Sequence, residues 1–185
     1  MAERSLRFNG IVIDPEDDPL QLLITPGATG ALIAIAQTYL KSASALVFEP
    51  YYPYHRHILN ELGGSTEVLP LHGEKLELDT DEFRARCREL KSRKDVPSAR
   101  HHHFVRRRIR PARCSSRIEL EAIAAVCHEF DLLCIADEVY EHYVVGGQPH
   151  ISIATLPGYV GANDHRQLLL QIMEYLRLAA RLRLR

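Results

Sequence analysis

No stretch of the 185-residue chain approaches the roughly 18 consecutive apolar residues of a membrane-spanning helix. The opening MAERSLRFNG has none of the apolar core that a secretory signal carries. Cysteine is scarce as well. Cys87, Cys114, Cys127 and Cys134 show neither a C-x-x-C spacing nor the density of a secreted disulfide framework, so no redox, disulfide or metal role is expected of them. These absences predict a cytoplasmic protein with no membrane partner. Apolar residues, by contrast, make up 46% of the chain beside 25% charged residues. That proportion lets a chain of this length bury a sizeable core, and it excludes collagen and bulk disorder.

The net charge of −1 hides a patchwork. Residues 91–113 carry nine Lys/Arg against Asp95 alone, a balance of +8, and residues 166–185 carry five arginines against Glu174, a balance of +4, which leaves the other 142 residues at −13. Within these stretches HHHFVRRRIRPAR and LRLAARLRLR are low in complexity, unlike the acidic background. A functional reading would make His101, His102 and His103 a metal site, or Arg106, Arg107 and Arg108 a phosphate or nucleic-acid surface. Neighbours on a regular strand point to opposite faces, so three adjacent histidines cannot converge on one ion. No aromatic residues interleave with the arginines to stack bases. The expectation is a solvated or disordered insert, with no metal site and no nucleic-acid partner.

Along the acidic background, strand and helix signals alternate. Leu20 to Thr25 reads as a short apolar strand ending at Pro26-Gly27, and Ala28 to Leu40 as an apolar helix without internal proline. Ala45 to Phe48 is a second strand. Tyr54 to Leu62 predicts a helix closed by Gly63-Gly64, with a strand over Thr66 to Leu71 after it. Asp79, with Glu82 three residues on, is a capping box for a helix to about Leu90. Ser116 caps a helix over Arg117 to Glu129, and Leu132 to Ala136 is an apolar strand ending at Asp137-Glu138. The alternation predicts an α/β fold, three-layer α/β/α with a central mostly parallel sheet.

Ligands of such sheets collect at the carboxyl ends of strands. After the first strand, Gly27-Ala28-Thr29-Gly30 turns directly into a helix, where unpaired amides and the positive end of the helix dipole make a phosphate cradle. A connector without a ligand would look the same. After the second, Glu49-Pro50-Tyr51-Tyr52-Pro53-Tyr54 offers aromatic faces held by prolines, or merely loop packing. After the last, Asp137 follows five apolar residues, and burying its carboxylate would cost several kcal/mol unless a cation or donor met it. Together the three ends could clamp a flat phosphorylated cation.

On these residues the chain resembles the large domain of class I/II aminotransferases, the fold-type I pyridoxal-phosphate enzymes. The resemblance rests on LLITPGATGALIAIAQTYL, ALVFEPYYPYHRHILNELGGSTEVLPL and LLCIADEVYEHYVVGGQPHISIATLPG, over about residues 8–98 and 116–158. It implies that residues 1–160 are a partial cofactor-binding large domain, with an aberrant basic insert at about 98–115 and a non-family basic tail over 161–185. It implies pyridoxal 5′-phosphate as cofactor, an amino acid and a 2-oxo acid as substrates, and the homodimer typical of the family. By the same resemblance the backbone at Ala28 and Thr29 would hold the phosphate, Tyr52 would stack on the ring, Asp137 would pair with the protonated ring nitrogen and Tyr140 would hydrogen-bond the ring hydroxyl oxygen. Gly146-Gly147 would be a hairpin turn and His142 a structural neighbour.

The departures matter equally. Where the family carries a strand and an Asn-Pro-x-Gly type loop, this chain has SARHHHFVRRRIRPARC, and beyond Asp137 nothing matches the Ser-x-x-Lys segment that supplies the Schiff-base lysine. The only lysines, Lys41, Lys75, Lys91 and Lys94, all precede DEVYEH. Hence no catalytic residue is assigned. The genetic code suggests a cause. Read one nucleotide later, Met173-Glu174 must give tryptophan, and permitted codons over NDHRQLLLQIMEYLR then spell a segment like the missing one, its lysine codon straddling Gln171 and Ile172. The same shift lets His101–His103 read as three isoleucines, and the third frame over residues 109–114 permits Pro-Thr-Gly-Thr-Val. Two frame disruptions, over roughly 98–115 and from near 160, are therefore expected. The expected function is that of an aminotransferase-family chain, inactive as written; the alternative is a non-catalytic pseudoenzyme or frameshifted fragment with at most weak phosphate binding.

Overall fold

The computed structural model describes residues 23–93, 115–141 and 149–156, and for 103–107 the backbone alone. In chain order the elements are α1 (Gly27–Tyr39), β1 (Ser44–Glu49), α2 (Pro53–Glu61), β2 (Ser65–Pro70), α3 (Thr80–Ser92), β3 (His103–Arg107), α4 (Arg117–Glu129), β4 (Leu133–Asp137) and a short 3₁₀ turn (Ile153–Thr155). The strands form one four-stranded sheet in the order β2-β1-β3-β4, parallel throughout. This is the predicted α/β architecture.

Helices cover both faces because β1 and β4 are apolar on both. In β1, Ala45 and Val47 join Ile35, Ala36 and Leu40 of the α1 region, Leu59 of α2, and Leu133 and Ile135 of β4. The alternate residues Leu46 and Phe48 join Phe83, Cys87 and Leu90 of α3, Leu120, Ile123 and Cys127 of α4, and Cys134 and Ala136 of β4. A period of two in each strand thus sorts the core into two layers. Phe83 is fully buried and meets Phe48 edge-on, with ring centroids 5.4 Å apart.

Local chemistry sets the helix ends where the sequence places them. Asp79 Oδ1 accepts from the amides of Asp81 and Glu82 at 2.9 and 3.0 Å, and Ser116 Oγ accepts from Glu119 at 3.2 Å. At the other end of α2, Gly63 donates to Asn60 and Gly64 to Leu59, the paired closure that glycine favours. A Cβ on Gly64 would lie 2.7 Å from the Ala43 carbonyl, so only glycine lets the α2 exit pass the start of β1.

Two expectations need correction. Leu23 to Thr25, the end of the predicted first strand, is not a strand, and Leu23 and Ile24 are 72% and 59% exposed. It has no neighbouring strand among the described residues, and an apolar run pairs only where a partner lies alongside. Residues 20–22 lie outside the described residues. The second correction concerns the basic stretch, expected to depart from a regular sheet. His103–Arg107 instead form the central strand, in register with Ala45–Val47 on one side and Leu133–Asp137 on the other. The ladder is made of backbone groups that every residue here carries, and the gap between β1 and β4 would leave both their edges unpaired. Residues 94–102, 108–114, 142–148 and 157–185, which hold His101, His102, Arg108, Cys114, His142, Gly146-Gly147 and the basic tail, lie outside the described residues.

Phe83→Ala should remove the ring that joins α3 to β1 and lower stability by about 3–5 kcal/mol, read by urea denaturation. A second test concerns acid. The amides of Glu82 and Asp81 hold the Asp79 carboxyl below its ordinary value. A depressed folded pKa means that the cap contributes fully above the unfolded Asp range and is lost as pH falls through the folded value. Asp79→Asn, which still caps, should flatten that part of the acid limb in thermal melts taken from neutral to strongly acid pH.

Candidate functional site

β4 ends on Asp137, and the alternation that sends Leu133 and Ile135 toward α1 and α2 sends Asp137 the same way. Its Oδ2 lies 3.2 Å from His55 Nε2; the His55 side chain is 1% exposed and that of Asp137 8%. Oδ1 accepts from the Val139 amide at 3.3 Å. Both oxygens are therefore engaged, which is what a carboxylate at a strand end buried in apolar surroundings requires.

His55 reaches this position because of how α2 begins. Pro53 opens the helix and Tyr52 is its cap residue. His55 and Leu59, one helical turn apart, are its buried residues, so a polar ring occupies the first core-facing position. Tyr52 packs against that ring edge-on at 5.7 Å between centroids and stacks on Tyr54 at 5.1 Å, the planes inclined by 28°. Tyr54 covers one face of Tyr52. His55 Nδ1 is buried and makes no hydrogen bond among the described residues.

The α1 amino terminus stands at the same edge of the sheet. The Ala43 amide donates to the Leu40 carbonyl at 3.0 Å, which ties the end of α1 to the start of β1. Thirteen helical residues then run back about 20 Å, the length of six strand residues, and bring Gly27 to the carboxyl end. Gly27 takes φ +74°, a left-handed conformation that turns the chain into the helix. No side chain caps α1, and after Gly27 its first turn carries Ala28, half-buried, and Thr29, exposed. Its first amides point out of the helix with the positive end of the dipole behind them. Near the end of β1, Glu49, Pro50, Tyr51, Pro53 and Arg56 line a cleft of about 260 Å³.

Of the residues singled out from sequence, Tyr52 and Asp137 are brought together through His55, and Ala28 and Thr29 stand at the same sheet edge on the same face. Tyr140 lies three residues beyond Asp137 in the following turn, 37% exposed. Sequence reasoning missed His55. Its signal is a histidine one turn ahead of Leu59 on the apolar stripe of α2, three residues after the aromatic cap. Among the described residues, no helix is long and apolar enough to cross a membrane.

No protein-family model matches the chain. Kynurenine–oxoglutarate transaminase 1 of Mus musculus is 32% identical over 157 residues, covering 82% of this chain and 37% of that protein. The chain thus spans little more than a third of the length of the curated relatives it matches. In three dimensions it superposes on N-succinyldiaminopimelate aminotransferase from Mycobacterium tuberculosis with a TM-score of 0.72 at 26% identity, over 91% of this chain and 41% of that one. The pyridoxal-phosphate-bound C-S lyase of Staphylococcus hominis shares the fold with a TM-score of 0.70 at 20% identity, over 91% and 40%. In sequence and fold together the chain is similar to the fold-type I aminotransferases, over part of their large α/β domain.

Proposed function

We propose that the chain binds pyridoxal 5′-phosphate at the carboxyl edge of its sheet, as a member of the amino-group-transferring enzymes, and that as written it does not catalyse the transfer. The observation that carries the binding reading is the buried Asp137–His55 pair, on the same sheet face as Tyr52 and the α1 amino terminus. The donor set suits the molecule. Uncapped helix amides suit a phosphate, an aromatic ring suits a flat heterocycle, and a shielded carboxylate suits a protonated ring nitrogen.

In this reading the amides of Ala28 and Thr29 hold the phosphate and Tyr52 lies against the ring. Asp137 keeps the ring nitrogen protonated and Tyr140 donates to the ring hydroxyl oxygen. His55, by holding Asp137 Oδ2, fixes the carboxylate's orientation toward the ring. The bound cofactor supplies an electron sink for the carbanion formed when an amino acid loses its α-proton. Substrates would be an amino acid and a 2-oxo acid, as the names of the curated relatives state for those proteins.

What the chain lacks is the base. Moving a proton at the substrate carbon by a positioned amine contributes roughly a hundred- to ten-thousand-fold. Lys41 follows α1, Lys75 precedes α3, and Lys91 lies in its last turn, while Lys94 lies outside the described residues. None follows β4, where the family's lysine would come. We attribute this to a frame disruption from near 160, the second of two, the first lying over roughly 98–115; the nucleotide sequence of codons 95–185 tests both directly.

Calorimetric titration with pyridoxine 5′-phosphate, which has no aldehyde to react with surface lysines, should give saturable binding. Asp137→Asn should weaken it about 10- to 100-fold, the worth of a hydrogen bond to a charged group, and Tyr52→Ala should weaken it too. Equal affinity in all three proteins would overturn the site. Separately, the purified chain saturated with pyridoxal phosphate should show no 2-oxo-acid-dependent turnover with a panel of amino acids, and a frame-restored version should. Robust turnover by the unaltered chain would overturn the claim of inactivity and leave the binding reading intact.

A further inference from the structure

Next to Asp137, a second group of side chains has no part in cofactor binding. Glu138 is buried, its side chain 4% exposed, with Oε2 at 3.2 Å from Nε2 of His150, itself 17% exposed. Neither Glu138 oxygen nor His150 Nε2 makes a hydrogen bond among the described residues, although all three atoms are closed off from solvent. Glu141 adds a third donor: one ligand atom from each of Glu138, Glu141 and His150 lies within 4.8 Å of the other two.

The backbone holds these donors from two sides. The Glu141 amide donates to the Glu138 carbonyl at 3.0 Å, so both carboxylates ride on one tight turn leaving β4. His150 is followed by Ile151, Ile153 and Leu156, which pack into the core layer of α3 and α4. The cluster therefore joins the end of β4 to a segment anchored elsewhere, around a buried Glu138 carboxylate whose two oxygens have no hydrogen-bond partner among the described residues. A shielded carboxylate without a hydrogen-bond donor costs several kcal/mol, and breaking its pairing leaves an uncompensated charge.

We propose that Glu138, Glu141 and His150 bind one divalent ion of the zinc, cobalt or manganese type, with a structural role in tying the Ile151–Leu156 segment to β4. Two carboxylate oxygens and one imidazole nitrogen form a mixed hard and borderline donor set, which suits these ions and not the soft ions that prefer thiolate. One lone pair each from Glu138 and His150 would satisfy atoms that have no hydrogen bond among the described residues, and the ion's charge would offset the buried Glu138 carboxylate. Bonds of roughly 2.0–2.2 Å require the donors to draw closer than they stand. Glu141, half-buried at the margin of the cluster, has the side-chain length to move in. Sequence reading examined His101–His103 for a metal and expected none; this cluster is discontinuous in the chain and becomes visible only when folded.

The test uses the full-length chain stripped with a chelator and titrated with Co²⁺ alone and with Zn²⁺ alone, no pyridoxal phosphate being present, so that its outcome is independent of the cofactor reading. A parent carrying His101→Asn, His102→Asn and His103→Asn removes the competing histidine run. That parent should bind one equivalent, with visible Co²⁺ absorption and a raised unfolding temperature. Glu138→Gln and His150→Asn should each weaken binding at least about tenfold, the loss that even outer-sphere partners produce. If either variant fails to fold by circular dichroism, Glu141→Gln at the half-buried margin carries the test, with the same loss expected. No saturable binding by the parent, or affinity unchanged in the folded variants, would overturn the proposal.

Discussion

A strand covered by helices on both faces leaves a polar problem at its carboxyl end, and in this protein the solution at β4 organises much of what surrounds it. Asp137 and Glu138 are successive acids at the close of an apolar strand, both largely shielded from water. A carboxylate in that setting is stable only if something positive or hydrogen-bonding meets it. For Asp137 the partners are the His55 ring and the Val139 amide. That requirement explains why the first core-facing position of α2 is a histidine where Leu59, a turn later, is apolar. It also ties the aromatic cap Tyr52 to the end of a strand 85 residues away in sequence, since the same ring contacts both.

The sheet beneath this arrangement depends on β3. Without a strand between β1 and β4 the two core layers would have no common floor, and Asp137 would not be placed in relation to α2. The residues that fill the gap, HFVRR, are not what a central strand of a parallel sheet usually contains. Phe104 and Val105 favour an extended chain, but the two arginines have no such preference. The ladder forms because backbone amides and carbonyls on both sides need partners, a demand indifferent to side chains. Composition was therefore a poor guide at this one strand.

The kinship with aminotransferases and the state of the site belong to different levels. Kinship rests on sequence and fold over the part of the large domain that the chain spans. Chemistry would rest on single side chains: in the proposed reading the groups at the carboxyl edge hold the cofactor, and the four lysines of the sequence all precede β4. Binding and turnover can part company in such a chain, because the groups that hold a ligand and the group that moves a proton sit on different segments.

The sequence by itself determined the elements whose signals are local. The Asp79 and Ser116 caps, the Gly63-Gly64 closure and the apolar runs of β1 and β4 appear within a residue or two of where hydrogen-bonding chemistry and periodicity put them. Tertiary structure alone decided the outcomes that turn on partners distant in the chain. Leu23–Thr25 has strand-like composition yet no neighbour to pair with among the described residues, whereas His103–Arg107 has an unlikely composition and two neighbours. The pairing of His55 with Asp137, and the meeting of Glu138 and Glu141 with His150, have the same origin. A residue's type states what it can bond to, and only the fold states what lies within reach.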